Sequence, residues 1–571
     1  MDSLKGLGSY AAPVREMLVR IRQERWVERL WAKDPTLWKR EPEHQRLITG
    51  MLGWLDVVER MQQRLPELAA VADAVRADGI RDVVLLGMGG SSLCSEVQRA
   101  TFGSARGYPT LTVLDSTDPE TIRSVERAID LRHALFIVAS KSGTTIEPDS
   151  LMRYFFECVR SAQQANPGKQ FLAITDAGTV LERWAAEQRF RWTFLNPADI
   201  GGRYSALSCF GLVPAALIGM DLRRWLAAAA DMTRACGPSA DAEENPGVLL
   251  GAVLGVLAKG GRDKMTLCVP QELSSFGLWV EQLVAESIGK EGCGIVPISG
   301  ESLGSPGAYG TDRFFLEVTA GEAPGVAGQR LAVLEASGHP VFRVPLHDRY
   351  TLAGEFFRWE VATAIAGACL GVNPFDQPNV QEAKDRTGQL LKLTVGGSVA
   401  SGASQVTTDQ YDVTLTEAVW KELGDGKDLW ARWWGAVRPG MYVSLLAYLP
   451  YHQRVADRLD RLRHQLRDRL GVAVTWAYGP RYLHSTGQLH KGGPNTGLFL
   501  LLVGDDAEPL VIPDRPFTFS QLKTAQAMGD FASLADKGRR VALVRLRQPL
   551  DASLNNISQE LVAPLAKARV V

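Results

Sequence analysis

Short apolar runs rich in β-branched residues alternate with amphipathic stretches along much of this 571-residue chain. The first series starts at Val83 and consists of VVLLG, LTVLD, LFIVAS, FLAIT and WTFLN, which end near Leu86, Asp115, Ser140, Thr175 and Asn196. This alternation indicates βα units arranged around a parallel sheet. Ligands of such sheets bind outside the carboxyl ends of the strands, so the turns that follow these runs are where a site is expected.

A second βα series is expected between about residues 249 and 395, with candidate strands at 265–269, 294–298, 314–318 and 341–345. Apolar residues at helical spacing precede the first series, and a small α/β unit follows the second. A polar, glycine-containing stretch before that unit is predicted to be a linker. The expected organisation is an N-terminal helical segment at 1–75, domains at 76–220 and 221–394, a linker at 395–425 and a C-terminal α/β domain at 426–571.

Composition disfavours several classes of protein. Lys and Arg number 63 and Asp and Glu number 64, so no net basic charge attracts the chain to nucleic acid. The apolar runs are all shorter than the roughly 18 residues of a membrane helix, and the N-terminal MDSLKGLGSYAAPVRE lacks the apolar core of a signal peptide. The 7 cysteines are scattered without CxxC spacing, which favours reduced thiols over disulfides or a zinc site. We expect a cytoplasmic protein that binds neither nucleic acid nor membranes.

The turn after the run LFIVAS is rich in groups that bind anions. It consists of Ser140, Lys141, Ser142, Gly143, Thr144 and Thr145. Its hydroxyls and backbone N–H groups donate hydrogen bonds, its lysine adds positive charge, and its glycine lets the backbone approach a ligand closely. The helix expected to follow adds the positive end of its dipole. The turn therefore predicts a phosphate-binding site.

A glycine-rich turn, GMGGSS at 87–92, follows the first run and is expected at the same edge of the sheet. Taken alone, it fits either a tight βα turn or a dinucleotide site, and Asp115 at the end of the next run has the place of the acidic residue that binds a ribose. A second donor-rich turn beside it fits a sugar phosphate better than a long dinucleotide. We therefore expect a small phosphorylated substrate, held by Gly90, Ser91 and the 140–145 turn.

Motifs along the chain resemble, in order, those of glucose-6-phosphate isomerases: GMGGSSL, SKSGTT, GGRYSALSCFGL, ESIGKEG and NPFDQPNVQEAK. The resemblance covers about residues 80 to 390 and implies two sugar-isomerase (SIS) domains, each a three-layer αβα unit with a parallel sheet. The segments WAKDPTLW, GMLGWLD and HSTGQLHKGGPNTG resemble the isomerase half of bifunctional transaldolase/phosphoglucose isomerases. We expect no transaldolase barrel in this chain, since such a barrel takes about 250 further residues.

The resemblance implies conversion of an aldose phosphate to a ketose phosphate, in which a proton moves between adjacent carbons through a cis-enediolate. A carboxylate base performs this transfer without a metal or a redox cofactor. Glu286 is the candidate base, because ESIGK resembles the family's ESNGK motif and this residue lies one step off the buried stripe of its helix. Glu291 and Glu360 are the alternatives. By the same resemblance, Arg203 in GGRYS stabilises the enediolate oxygens.

Ring opening requires further groups, and the resemblance implies a lysine and a histidine. Lys384 matches the family's lysine at the end of NPFDQPNVQEAK. The family's histidine segment lies between the glutamate and lysine motifs, but His339 and His347 in that interval have different surroundings. A segment similar to the family's histidine segment, STGQLHKGG, occurs much later in the chain. We therefore expect the C-terminal domain to fold back and supply His490, from the same chain or from a partner subunit. His484 is the second candidate.

The sequence thus predicts a cytoplasmic, cofactor-independent enzyme of glycolysis and gluconeogenesis that interconverts glucose 6-phosphate and fructose 6-phosphate. The predicted catalytic residues are Glu286, Arg203, Lys384 and His490, and the predicted substrate-binding residues are Gly90, Ser91, Ser140, Lys141, Ser142 and Thr145. A dual phosphoglucose/phosphomannose isomerase and a non-catalytic phosphosugar-binding sensor are the alternatives. The sequence leaves open whether the chain forms a homodimer and whether a separate transaldolase is its functional partner.

Overall fold

The N-terminal segment is helical in the computed structural model, which describes residues 4–162, 166–320, 326–394, 404–423 and 428–567. Its helices are α1 (Ala11–Gln23), α2 (Trp26–Trp31), α3 (Pro42–Thr49), α4 (Val57–Gln62) and α5 (Leu65–Ala77). Tryptophans of this segment hydrogen-bond to the second domain. Trp31 Nε1 donates to the carbonyl of Cys236 and Trp38 Nε1 donates to that of Ala364, each at 2.8 Å. The segment therefore packs against the second domain.

The first domain contains a parallel sheet of strand order β2-β1-β3-β4-β5. The strands are β1 (Asp82–Gly87), β2 (Thr110–Leu114), β3 (Ala134–Ala139), β4 (Phe171–Thr175) and β5 (Trp192–Leu195), and the helices are α6 (Leu93–Phe102), α7 (Pro119–Ala128), α8 (Ile146–Ser161), α9 (Val180–Glu187) and α10 (Cys209–Leu217). Every residue of β3 is buried, as expected where helices cover both faces of a sheet. Leu86 of β1 pairs with Val138 of β3, so the two strands end side by side. The two donor-rich turns therefore lie at the same edge, as predicted.

The second domain has a parallel sheet of strand order β7-β6-β8-β9. Its strands are β6 (Lys264–Cys268), β7 (Val296–Ile298), β8 (Arg313–Ala320) and β9 (Val341–Leu346), and its helices are α11 (Leu222–Ala235), α12 (Pro246–Lys259), α13 (Phe276–Ile288), α14 (Val326–Ala336), α15 (Leu352–Leu370) and α16 (Pro378–Thr394). One apolar core includes Leu85 and Ile137 of the first sheet together with Met265 and Leu267 of the second. This shared core fixes α13 relative to the first sheet.

The C-terminal domain has a mixed sheet of strand order β10-β11-β15-β14-β12-β13. The strands are β10 (Ser404–Thr407), β11 (Tyr411–Leu415), β12 (Tyr442–Tyr448), β13 (Ala473–Tyr478), β14 (Gly497–Gly504) and β15 (Arg540–Leu546), and the helices are α17 (Glu417–Leu423), α18 (Leu429–Trp434), α19 (Gln453–Leu470), α20 (Gly487–Gly492), α21 (Phe519–Asp536) and α22 (Leu550–Val562). β10, β11 and α17 fall within the predicted linker at 395–425, of which 395–403 and 424–425 lie outside the described residues. The linker prediction was too long, because Tyr411, Val413 and Leu415 are buried in the core of this domain.

The C-terminal domain folds back onto the carboxyl edge of the first sheet, as predicted. Lys523 of α21 forms an ion pair of 2.9 Å with Asp118, and the hydroxyl of Thr117 donates to Oε1 of Gln526 at 2.8 Å. These residues are buried, so the contact excludes water. The fold class predicted from the sequence, parallel α/β domains with a small C-terminal α/β domain, is confirmed.

The cysteines, all within the described residues, have free thiols, and five of the seven are buried. None of the described helices is both long and apolar enough to cross a membrane.

Candidate active site

A cavity of about 320 Å³ lies at the carboxyl edge of the first sheet, between the first, second and C-terminal domains. Many of the predicted site residues line it: Gly90, Ser91, Lys141, Ser142, Thr145, Arg203 and Glu286. Larger cavities, of about 650 and 630 Å³, have neither Glu286 nor Arg203 among their described lining residues. The smaller cavity is therefore the candidate active site.

The glycine-rich turn after β1 allows three segments to converge on this cavity. A Cβ atom on Gly90 would lie 2.0 Å from the carbonyl oxygen of Gly202, in the turn that carries the candidate arginine. Gly89 has a φ of +52°, and a Cβ on it would lie 2.8 Å from both Nε2 of Gln282 and the carbonyl oxygen of His484. Residues with side chains do not fit at these two positions. The glycines therefore serve the close packing of the site.

The 140–145 turn presents its donors toward the cavity, and Gly143 has a φ of +65° there. Ser142 and Thr145 line the cavity directly. Ser140 is buried and its hydroxyl donates to Oγ1 of Thr145 at 3.2 Å, so it supports the turn from behind. Lys141 forms an ion pair with Asp176, whose pKa burial raises against the lowering effect of that lysine. The helix α8 begins immediately after the turn, as predicted.

Arg203 is buried and held on every side of its guanidinium. Its Nε donates to Oγ of Ser287 at 2.7 Å, and its Nη2 donates to the carbonyls of Pro374 and Asp376 at 2.8 and 2.9 Å. Its Nη1 donates to Oε1 of Gln377 at 2.8 Å. Because a planar guanidinium with this many bonds has one orientation, Arg203 presents a fixed positive charge to the cavity.

Glu286 lies near the end of α13 with 7% of its surface exposed. Its Oε2 accepts a hydrogen bond from Nε2 of Gln282 at 3.0 Å, and its Oε1 is 3.6 Å from Nη1 of Arg203. The alternative Glu360 is fully buried in the core, where desolvation raises its pKa, and Glu291 forms an ion pair with a lysine at the surface. Neither of these alternatives lines the cavity. The structure therefore brings together the predicted base and the predicted cation.

Lys290, four residues after Glu286, was not singled out by the sequence although it belongs to the ESIGKEG motif. Its Nζ donates to the carbonyl of Asn373 at 2.8 Å and to Oδ1 of Asp376 at 2.6 Å. Burial, and then the nearby charge of Arg203, lower the pKa of Lys290 to about 8 against the opposing effect of Asp376. Lys290 thus fastens the same turn that holds Arg203.

His490 does not reach the cavity. Its ring is buried beside Tyr442, Tyr482 and Phe499, and its Nδ1 has no hydrogen-bond partner among the described residues. Burial, followed by the charges of Lys491 and Arg539, lowers its pKa well below the ordinary value. The sequence predicted His490 at the site because its segment resembles the family's histidine segment. In the structure, the short helix α20 directs the His490 ring into the core of the C-terminal domain.

His484, the second candidate, lines the cavity six residues earlier in the chain. Its Nε2 lies 2.9 Å from Oε1 of Glu147, and that carboxylate oxygen also accepts a hydrogen bond from Nε2 of Gln526 at 2.7 Å. The carbonyl of His484 accepts from Nε2 of Gln282 at 2.8 Å. Glu147 was not predicted as a site residue, because a glutamate in the first turn of a helix is ordinarily solvated and complements the helix dipole. In this fold Glu147 is 3% exposed.

Lys384 lies within α16, the helix that begins at Pro378. Its side chain lies outside the described part of the structure. Its role therefore rests on the motif alone.

The chain is similar to known proteins. Residues 53–305 match the family model described as phosphoglucose isomerase. A glucose-6-phosphate isomerase from Symbiobacterium thermophilum is 30% identical over 404 residues, which cover 60% of this chain and 87% of that protein. One from Enterococcus faecalis is 28% identical over 390 residues, which cover 59% of this chain and 86% of that protein.

Solved structures show the same fold. A glucose-6-phosphate isomerase from Chlamydia trachomatis aligns with a TM-score of 0.50 and 22% identity over 65% of this chain and 78% of that one. A hypothetical protein from Thermus thermophilus aligns with a TM-score of 0.57 and 24% identity over 67% of this chain and 97% of that one. These alignments support the fold that the sequence motifs predicted.

Proposed function

The chain belongs to the phosphoglucose isomerase family and interconverts glucose 6-phosphate and fructose 6-phosphate, and we propose how its residues perform this reaction. One observation carries the proposal: Oε1 of Glu286 lies 3.6 Å from Nη1 of Arg203, in a cavity that the hydroxyl-rich turn also lines. A general base beside a fixed cation is the arrangement that an enediolate intermediate requires.

The phosphate of the substrate binds at the 140–145 turn and Ser91. Ser91, Ser142 and Thr145 line the cavity and supply hydroxyl donors, and the N-terminus of α8 adds positive potential. Lys141 is paired with Asp176, so it contributes charge to the turn while holding the loop after β4 in place. Anchoring the phosphate here directs the sugar carbons toward Glu286 and Arg203.

Ring opening is assigned to His484, supported by Glu147, in place of His490. Because Nε2 of His484 lies 2.9 Å from the carboxylate of Glu147, the nitrogen available to the substrate is Nδ1. Nδ1 accepts the proton of the anomeric hydroxyl, and the carboxylate stabilises the imidazolium that forms. Lys384 retains the role that the resemblance implies, delivery of a proton to the ring oxygen as the C1–O5 bond breaks.

Isomerisation of the open chain then proceeds at Glu286. Its carboxylate removes the proton from C2, and the resulting cis-enediolate carries negative charge on its oxygens beside Arg203. Transfer of that proton to C1, with a proton moving from O2 to O1, yields the ketose. Gln282 holds the second carboxylate oxygen at 3.0 Å, which fixes the height of the base above the substrate.

A coupled assay of glucose 6-phosphate isomerisation, run in parallel with mannose 6-phosphate, tests the function. We expect turnover of glucose 6-phosphate in a metal-chelated buffer without added cofactor. Equal turnover of mannose 6-phosphate would instead identify a dual phosphoglucose/phosphomannose isomerase. Binding of glucose 6-phosphate without turnover would identify a phosphosugar sensor and overturn the proposal.

A cytoplasmic location, a homodimer and a transaldolase partner stay predictions. Fractionation of cells tests the location and sedimentation equilibrium tests the dimer. Co-purification with a transaldolase from the same cells tests the predicted transaldolase partner.

A further inference from the structure

His484 is the last residue of a 3₁₀ turn, Arg481–His484, that begins with an arginine whose side chain is 19% exposed. Nε and Nη2 of Arg481 donate to Oδ2 and Oδ1 of Asp115 at 2.6 and 2.8 Å. Asp115, directly after β2 of the first domain, is 1% exposed. The turn that carries the histidine is therefore joined to the sheet edge by a bidentate ion pair whose carboxylate is buried.

The carboxylate of Asp115 has no contact with the cavity, whose lining residues do not include it. Besides Arg481, it accepts a hydrogen bond from the hydroxyl of Tyr451 at 3.3 Å. The ring of Tyr451 also lies 5.0 Å from the guanidinium of Arg481. The acidic residue at the end of the second strand, which in a dinucleotide site binds a ribose, is used in this fold to hold the C-terminal domain.

The turn is fixed at its other end as well. The carbonyl of His484 accepts from Gln282 of α13, at 2.8 Å, and its ring contacts Glu147 of α8 at 2.9 Å. Gln282 also holds Glu286. The position of the imidazole thus depends on one contact with each of two neighbouring helices and on the Arg481–Asp115 pair.

We propose that Arg481 and Asp115 are positioning residues for ring opening, which hold the His484 turn of the C-terminal domain against the active site. This proposal rests on the assignment of His484 made above. Proton transfer requires donor and acceptor within a few tenths of an ångström of the productive geometry, and a rigid guanidinium fork supplies that precision where a single flexible contact does not.

A second ion pair of the same interface provides a matched control. Lys523 of α21 pairs with Asp118 at 2.9 Å, three residues after Asp115, and also pairs with Asp506. Lys523 is far along the chain from the His484 turn. Substitution of this pair weakens docking of the domain in general. Substitution of the Arg481–Asp115 pair releases the histidine turn in particular.

The test measures enzyme-catalysed exchange between the α and β anomers of glucose 6-phosphate by NMR, because this exchange requires ring opening but no proton transfer at C2. In the full chain, Arg481→Lys keeps a cation opposite Asp115 but removes the fork, and Arg481→Met with Asp115→Asn removes both charges. We expect each to lower the catalysed exchange at least tenfold while the KM for glucose 6-phosphate changes less than threefold. Lys523→Met with Asp118→Asn is expected to lower the exchange less than twofold.

Wild-type exchange in both Arg481 variants, with exchange lost in His484→Ala, would overturn the positioning role. An equal loss in the Lys523 control would also overturn it, because the pair would then serve only general docking. Wild-type exchange in His484→Ala would instead refute the assignment of the histidine itself. Arg481→Lys retains the positive charge opposite Asp115, so it decides the question even if the double variant does not fold. Circular dichroism establishes folding of each variant.

Discussion

Oε1 of Glu286 lies 3.6 Å from Nη1 of Arg203, and neither side chain exposes more than 9% of its surface. The remaining bonds of the guanidinium go to Ser287, Gln377 and the carbonyls of the turn after α15. The proposed base and the proposed cation are therefore held in place before substrate arrives. Electrostatic stabilisation is strongest under these conditions, because no reorganisation is needed as charge develops on the substrate.

Arg203→Lys is expected to lower kcat by about 10²- to 10³-fold with little change in KM, because the ammonium cannot keep the bonds that fix the guanidinium and faces the enediolate only in the transition state. Steady-state kinetics with glucose 6-phosphate measures the effect. Arg46→Lys, on the exposed face of α3, is the control and should leave both constants unchanged. A large rise in KM with wild-type kcat would assign Arg203 to ground-state binding instead.

His484→Ala and Glu286→Gln should separate ring opening from proton transfer. The histidine variant is expected to lose catalysed anomer exchange of glucose 6-phosphate by about 10²-fold, whereas Glu286→Gln keeps the exchange and loses isomerisation. His490→Ala is the matched control, since that ring lies in the aromatic core. Loss of exchange in His490→Ala with wild-type exchange in His484→Ala would reverse the two assignments.

The active site should be complete within one chain. His484 and Glu286 line the same cavity of a single chain, so a mixture of Glu286→Gln and His484→Ala proteins, unfolded and refolded together, is expected to remain as inactive as either variant. If the C-terminal domain were exchanged between two chains, random mixing would restore roughly a quarter of wild-type activity. Recovery of that size would contradict a site built within one chain.

The lowered pKa of Lys290 predicts that enzymatic activity falls at alkaline pH. Its pKa is lowered to about 8, and loss of its proton removes the ion pair with Asp376 and weakens the turn that holds Arg203. We expect kcat/KM to fall as the pH rises above about 8, and Lys290→Arg, which does not titrate there, to move this limb to higher pH. The titratable groups that face Lys290 are Asp376, Glu286 and Arg203. An unchanged limb in Lys290→Arg would show that another group is responsible.

The raised pKa of Glu355 predicts that the stability of the folded protein depends on pH. Burial raises its pKa from 4.5 to about 7, against the opposing charge of Arg358, so the folded state retains a proton that the unfolded chain releases. Stability from this group is therefore present below pH 4.5 and falls by about 3 kcal/mol as the pH rises to 7. Glu355→Gln should raise the midpoint of thermal unfolding more at pH 8 than at pH 5, whereas the exposed Glu59→Gln should not. An equal change at both pH values would contradict this linkage.

Much of the fold and of the site follows from local sequence patterns. Strand ends at Leu86 and Ser140 were predictable because buried parallel strands are short apolar runs, and adjacent parallel strands bring their following turns to one edge. Glu286 and Arg203 were selected as candidates by their motifs, and the structure places both at one cavity. These predictions depend on residues near one another in the chain, or on the rule that adjacent parallel strands end at the same edge of a sheet. That rule requires no knowledge of side-chain contacts.

The features of the structure that differ from the sequence-based expectations depend on long-range packing. His484 and His490 are six residues apart in the same polar segment, and only the direction of α20 decides which ring meets the cavity. Glu147 and Lys290 became visible as site residues only when their partners, His484 and Asp376, were brought to them by other parts of the fold. The hairpin β10–β11 was taken for linker because its pairing partner β15 lies more than a hundred residues later.

The most direct test of the account is deuterium incorporation during isomerisation in D₂O, followed by NMR at C2 of glucose 6-phosphate and C1 of fructose 6-phosphate. The wild-type protein is expected to exchange these positions. Folded Glu286→Gln is expected to lose the exchange by about 10²- to 10⁴-fold while it keeps catalysed anomer exchange. Near wild-type deuterium incorporation by folded Glu286→Gln would contradict the central claim that Glu286 transfers the proton.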